Sequence, residues 1–176
     1  LRVVSPADAV LAGFNRARIF SFERRYDEAL AELEKGRTVA PDHALVKTFR
    51  AVVLFNLGRL EEARELMEDV LAAHPHFDGG RPILAWCLSA AGEHDAARAL
   101  VNERVKAVAA ADHDIALWLA SFYAMEGLVE EALEWVRRAV RLGNENFPVF
   151  DGSSKLDPLR ADARFAALVS ELKRDW

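Results

Sequence analysis

The sequence predicts an all-α solenoid of antiparallel helix pairs, and three observations carry that prediction. First, one turn pattern recurs. Asn56-Leu57-Gly58-Arg59-Leu60-Glu61-Glu62-Ala63 is echoed by Glu23-Arg24-Arg25-Tyr26-Asp27-Glu28-Ala29, by Ala91-Gly92-Glu93-His94-Asp95-Ala96-Ala97 and by Glu126-Gly127-Leu128-Val129-Glu130-Glu131-Ala132. The alanines at 29, 63, 97 and 132 are separated by 34, 34 and 35 residues, a period that belongs to stacked helical arrays. Second, Ala17, Ala51, Ala85 and Ala120 stand twelve residues before those alanines. Two helices approach closely where both present small side chains, so the two alanine sets mark the contact inside each pair. Third, Pro41 and Pro75 follow Ala29 and Ala63 by twelve residues, and proline ends a helix because it has no N–H to donate and clashes with the preceding turn.

The elements follow from this ruler. Leu1-Arg2-Val3-Val4-Ser5-Pro6 resembles the run into proline that ends later units, so residues 1–9 are read as a partial unit, with a further repeat expected upstream of Leu1. The first full unit covers about 10–43, with helices over Ala9 to Glu23 and Asp27 to Val39. Asp27 and Glu28 fall in the first turn of the second helix, where the helix dipole favours negative charge. The second unit, 44–77, has helices over Ala44 to Leu57 and Leu60 to Ala73, with Gly58 as the C-cap. The third, 78–112, starts its first helix near Pro82, closes it at Gly92 and continues as one helix from Asp95 to Ala110. The fourth, 113–146, takes Asp112 or Asp114 as N-cap, turns at Gly127 and runs from Val129 to Leu142. Phe20, Leu54, Leu88 and Tyr123 on first helices, and Leu33, Met67, Val101 and Val136 on second helices, are expected to fill the spaces between pairs. Residues 147–176 leave the period. Phe147-Pro148-Val149-Phe150-Asp151 reads as an extended apolar loop, Asp157 to Arg160 as a helical turn, and a last helix from Asp162 puts Ala166, Leu168, Val169, Leu172 and Trp176 on one stripe. This helix is expected to cap the open end of the array.

Bulk properties narrow the function. The 176 residues are 52% apolar and 29% charged, which suits a folded chain and excludes disorder. A net charge of -5 argues against a nucleic-acid surface, normally basic, and against an anionic membrane surface. The longest apolar run, Ile115 to Met125, is too short to span a bilayer. Cys87 is the single cysteine, so no internal disulfide or thiolate metal site can form; a cytoplasmic setting fits.

Chemistry is not expected. His43, His74, His76, His94 and His113 lie at turns or helix ends, and His74-Pro75-His76 lacks a third ligand for a metal. Cys87 is expected to be a buried, inert thiol. The pairs Glu61-Glu62 and Glu130-Glu131 recur at helix starts, where dipole compensation accounts for them. No phosphate loop or nucleophile elbow occurs. The reading is therefore no catalytic residue, no metal, no cofactor and no enzyme.

The chain resembles the tetratricopeptide repeat family over about residues 1–146. Unit four carries the pattern as Leu119-Ala120, Tyr123, Gly127, Ala132 and Val136, with Asn144 where the family has proline. Unit two carries it as Ala51, Leu54, Gly58, Ala63, Met67 and Pro75. Unit three has Ala109 in place of the proline, and Arg16 and Arg50 stand where an apolar residue is usual. The resemblance implies a right-handed superhelix whose first helices line a concave groove. It places Leu11, Phe14, Asn15, Arg18, Ser21 and Phe22 of unit one inside. Leu45, Thr48, Phe49, Val52, Phe55 and Asn56 follow in unit two. Ile83, Trp86, Ser89 and Ala90 come from unit three, and Leu117, Trp118, Ser121, Ala124 and Met125 from unit four.

From these, the partner groove is assigned to Phe14, Asn15, Arg18, Phe22, Phe49, Val52, Phe55, Asn56, Trp86, Trp118 and Met125. Two readings stand for it: an open groove for an apolar peptide or partner helix, or a surface closed on itself or by the tail. The lysine clamp that some members use for an acidic C-terminus is absent. Asp157 to Leu168 also resembles the end of repeat regions in bacterial multidomain signalling proteins, which implies a terminus near 176. The implied function is a non-catalytic interaction scaffold with a protein or peptide partner, a second copy of the chain included. The alternative is a regulatory or self-associating C-terminal domain behind a kinase, a nucleotide cyclase or a winged-helix transcription factor.

Overall fold

A computed structural model of the chain describes residues 6–39 and 42–176, so Leu1 to Ser5 and Pro41 lie outside the described residues. The chain divides into two compact units, Leu1–His74 and Pro75–Trp176. Among the described residues all regular structure is helical, and no helix is long and apolar enough to cross a membrane.

The N-terminal unit holds α1 (Pro6–Phe22), α2 (Tyr26–Val39), α3 (Ala44–Asn56) and α4 (Leu60–Ala73). Each helix packs on the next in sequence. The turn between α3 and α4 is a Schellman motif. Gly58 N–H donates to the Phe55 carbonyl and Arg59 N–H to the Leu54 carbonyl, both at 3.0 Å. This needs a left-handed residue at 58, and Gly58 has φ +76°, which costs glycine no Cβ clash. The register returns at Arg24, where Arg24 N–H meets the Ser21 carbonyl and Arg25 N–H the Phe20 carbonyl. Here an arginine takes φ +61°.

The C-terminal unit opens with a 3-10 turn, Asp78–Gly80. Then come α5 (Arg81–Ala90), α6 (His94–Leu100), α7 (Glu103–Ala109), α8 (His113–Met125), α9 (Val129–Arg141), α10 (Phe147–Gly152), a 3-10 segment Ser154–Leu159, and α11 (Ala163–Asp175). Helices α5 and α6 pair, α8 and α9 pair, and α5 packs on α8.

Burial follows the ruler. Ala17, Ala29, Ala51, Ala63, Ala85, Ala97, Ala120 and Ala132 are all fully buried, as are Met67 and Val136, with Leu33 and Leu54 nearly so. Arg16, which stands at a usually apolar place, is accounted for by a 2.8 Å ion pair to the largely buried Glu32 of α2. Hydrogen bonds from Lys35 and Arg16 hold the Glu32 carboxyl below the usual carboxylate range.

Three sequence expectations need correction. The helix expected from Asp95 to Ala110 is two helices, broken at Val101 and Asn102. The Asn102 side chain accepts from Arg104 N–H at 3.0 Å and Val105 N–H at 3.2 Å. That is an N-cap, and asparagine competes well for that role. Arg104 then reaches the buried Asp78 at 2.8 Å, so the break tethers α7 to the opening turn, and Val101 lies half-buried at the break. The segment expected to be extended at Phe147 is helix α10, with Pro148 in its first turn and Phe150 fully buried. On α11 the buried stripe is Phe165 and Leu172, while Ala166 is exposed and Trp176 is 68% exposed beyond the helix end. Asp112, not Asp114, caps α8, accepting from the Asp114 and Ile115 amides.

Candidate functional site

In the N-terminal unit several predicted inner residues of α1 and α3 lie around a pair of aromatic rings. The rings of Phe14 and Phe49 meet edge to face with centroids 5.3 Å apart, an arrangement that suits the ring quadrupoles. The Arg18 guanidinium lies 5.9 Å from the Phe14 centroid and 5.6 Å from the Phe22 centroid, within cation–π range of both. Phe14, Arg18 and Phe22 are half-buried and Asn15 is exposed. Leu11 is 57% exposed and Leu45 38%. The result is a surface with apolar side chains at its rim and an arginine held between two rings. Phe49, Val52 and Thr48 are buried, so they carry the surface rather than form it. Phe55 and Asn56, at the end of α3, are half-buried.

The C-terminal unit treats the same register differently. Trp86 on α5 is 1% exposed, and its Nε1–H donates to the Trp118 carbonyl of α8 at 2.9 Å. Lys155, from the 3-10 segment, places its Nζ 4.8 Å from the Trp86 ring centroid. That segment packs on α8 and α9, with Leu156 and Leu159 fully buried. Ile83, Leu117, Ser121 and Ala124, all predicted to be inner residues, are buried too, whereas Trp118 and Met125 are half-buried. The tail thus lies against the Trp86 face. Trp86 is a core tryptophan with a satisfied N–H and not an open pocket wall.

These paired helices, turns and fully buried small residues match a known repeat. The tetratricopeptide repeat profile matches residues 23–80 and 58–112, together 23–112, or 90 of the 176 residues. The chain belongs to the tetratricopeptide repeat family. The repeat chain is similar to two solved structures at 21% identity and a TM-score of 0.50: the MamA RS-1 ArsTM double mutant, covering 96% of each chain, and MamA 41-end from Desulfovibrio magneticus RS-1, covering 96% of this chain and 97% of that one. YrrB, described as a TPR protein with an unusual peptide-binding site, is 16% identical, with 90% of each chain covered and a TM-score of 0.48. No curated protein matches the sequence. Family membership makes the chain a helical-repeat scaffold of the protein-interaction type.

One further polar cluster in the repeat array was missed from sequence. The Glu126 carboxylate is fully enclosed. Ser89 Oγ donates to its Oε1 at 2.7 Å, and His94 Nδ1 lies 2.8 Å from the same oxygen. Arg98 stands 2.8 Å from Oε2 as an ion pair. Burial raises the Glu126 pKa, but the bonds from His94 and Ser89 and the charges of His94 and Arg98 outweigh it, leaving the carboxyl below the usual range. Serine, histidine and glutamate are the residue types of a hydrolytic triad. The connectivity differs: the serine hydroxyl is spent on the carboxylate, whereas an activated nucleophile is bonded to the imidazole. The cluster ties the end of α8 to α5 and α6. Among the described residues no three His, Cys, Asp or Glu side chains gather at metal-binding distance. Cys87 is buried.

Proposed function

We propose that this chain is a non-catalytic interaction module that holds a peptide or partner helix on the inner face of α1 and α3. The observation that carries this reading is the exposure of Leu11 and Leu45 at inner register positions beside half-buried Phe14, Arg18 and Phe22. Exposed apolar side chains grouped with aromatic and arginine anchors are the usual makings of a binding surface. In this reading the exposed Asn15 meets the backbone of a bound segment. The acidic net charge supports a protein partner over nucleic acid. The buried single thiol suits a reducing cytoplasm, and the signalling-protein resemblance of the tail suits a bacterial one. The test is capture of partners by the intact chain and by its Leu45→Glu variant, followed by affinity measurement with the purified partner. The reading expects Leu45→Glu to weaken binding about tenfold or more while the circular dichroism melt is unchanged. Equal affinity for both chains overturns it.

A further inference from the structure

We propose that the C-terminal unit has a masked binding face around Trp86, and that the chain's own segment Ser154–Leu159 is a detachable strap occupying it as an autoinhibitory contact. This face is separate from that of α1 and α3. The family register puts Trp86 of α5 and Trp118 of α8 on the inner side, yet Trp86 is 1% exposed. Lys155 covers its ring, with Nζ 4.8 Å from the centroid. The 3-10 segment that carries Lys155 packs on α8 and α9. A short segment laid on a helix face, with a cation on an aromatic ring, is how a bound peptide sits on a receptor. Here the peptide is joined to its receptor.

Three features make the strap separable from the helices beneath it. It holds its own shape: Arg160 donates to the Phe150 carbonyl at 2.9 Å and to the Ser153 carbonyl at 3.3 Å, and Leu156 N–H donates to the Ser153 carbonyl at 3.1 Å. These bonds lie within the tail and do not depend on α5, α8 or α9. It is anchored on both sides. Phe150 before it and Phe165 after it are buried, and Arg164 grips Glu130 of α9 at 2.6 Å, so α11 stays in place when the strap lifts. Its seating also opposes two terms. Leu156 and Leu159 are fully buried, which favours the docked state. Lys155 is buried with them, and desolvation lowers its pKa to about 8. At pH 7 the docked strap therefore holds a desolvated ammonium, which regains water on release. Two opposed terms of similar size leave a small difference, and segments of that kind open locally at a lower free energy than the core.

The test has two arms, both on the intact chain. The first uses Leu156→Cys and follows the reaction of its thiol with a disulfide reagent. Cys87, 2% exposed on α5, is the reference in the same molecule. The introduced thiol is expected to react about 100-fold or more faster than Cys87, because it needs only the strap to lift. Adding Lys155→Met should slow the introduced thiol about tenfold, since the docked strap then holds no buried charge. The second arm titrates a fluorescein-labelled peptide of residues 153–162 into the parent chain and into a chain carrying Leu156→Ala and Leu159→Ala. The peptide is expected to bind the double variant saturably and about tenfold or more tighter than the parent, whose face is occupied for most of the time. Equal reaction rates of the two thiols overturn the proposal, because the segment then opens only with the core. So does an introduced thiol that Lys155→Met leaves unchanged. Absence of saturable peptide binding to a folded double variant, or equal affinity for the two chains, overturns it as well. If the double variant does not fold, the thiol arm decides alone.

Discussion

Lys155 is the residue that sequence reasoning would have left in solvent. It sits in a polar stretch, Ser153-Ser154-Lys155, and lysine is seldom buried. Here desolvation lowers its pKa to about 8, while the Trp86 ring gives the ammonium some compensation. The sign of the linkage is fixed by this lowering. Between about pH 8 and the usual lysine value the unfolded chain binds the proton and the folded chain does not, so stability rises with pH across that window. Below about 8 the full cost of burying the charge is present. Lys155→Met is therefore expected to stabilise the chain by about 1–3 kcal/mol at pH 7. The gain over the parent should shrink as pH climbs from 8 to 10. Urea melts of both proteins at pH 7 and pH 10 measure this, and a gain that is equal at both pH values contradicts it. Glu126 teaches the complementary lesson. Its carboxylate is buried, but Ser89 and His94 on one oxygen and the Arg98 charge beside the other hold its pKa below the usual range, and the signal for it was no stronger than a glutamate before a turn glycine.

At the scale of the element, the repeated turn is the informative object. Gly58, Gly92 and Gly127 all have positive φ, and Arg24 takes the same conformation without the same freedom. A left-handed residue with a Cβ is strained by about 1 kcal/mol, part of which glycine returns through its looser unfolded state. Arg24→Gly is accordingly expected to stabilise the chain by about 0.5–1 kcal/mol, seen as a higher urea midpoint at unchanged m-value. A lower midpoint would mean that the arginine side chain earns its place by contacts. The division of the third unit's second helix is the opposite case. A periodicity argument sees alternating apolar positions and continues the helix through Val101 and Asn102. Local capping won, because the Asn102 side chain satisfies two amides and releases Arg104 to pair with Asp78.

At the scale of the molecule, the tail decides which surface is available. Phe150, Leu156, Leu159 and Phe165 are at most 1% exposed, and each large apolar side chain buried contributes about 1.5–3 kcal/mol before ordering costs. Removing residues 147–176 is expected to lower the melting temperature and to raise binding of a hydrophobic dye, since the α8 face is then bare. An unchanged melt in the shortened chain would show that the tail is not part of the C-terminal core. Among the described residues Leu11 and Leu45 stay 57% and 38% exposed, which is why we assign binding to the face of α1 and α3. Family membership alone would have spread the groove evenly over all four units.

How much was legible divides along physical lines. The period, the turns and the eight buried alanines are local or near-local properties, set by chain geometry and by the room a helix contact allows. They were readable before any coordinates. Whether an inward residue is open or covered depends on where a distant segment comes to rest. The family resemblance puts both Trp86 and Leu11 at inner positions, and only Trp86 was assigned to the groove, yet Trp86 lies beneath Lys155 and Leu11 is 57% exposed. The sequence by itself determined the helix pairs and their family. Only the tertiary structure decided which inner face remains exposed, because burial is a property of the packed chain and not of the repeat.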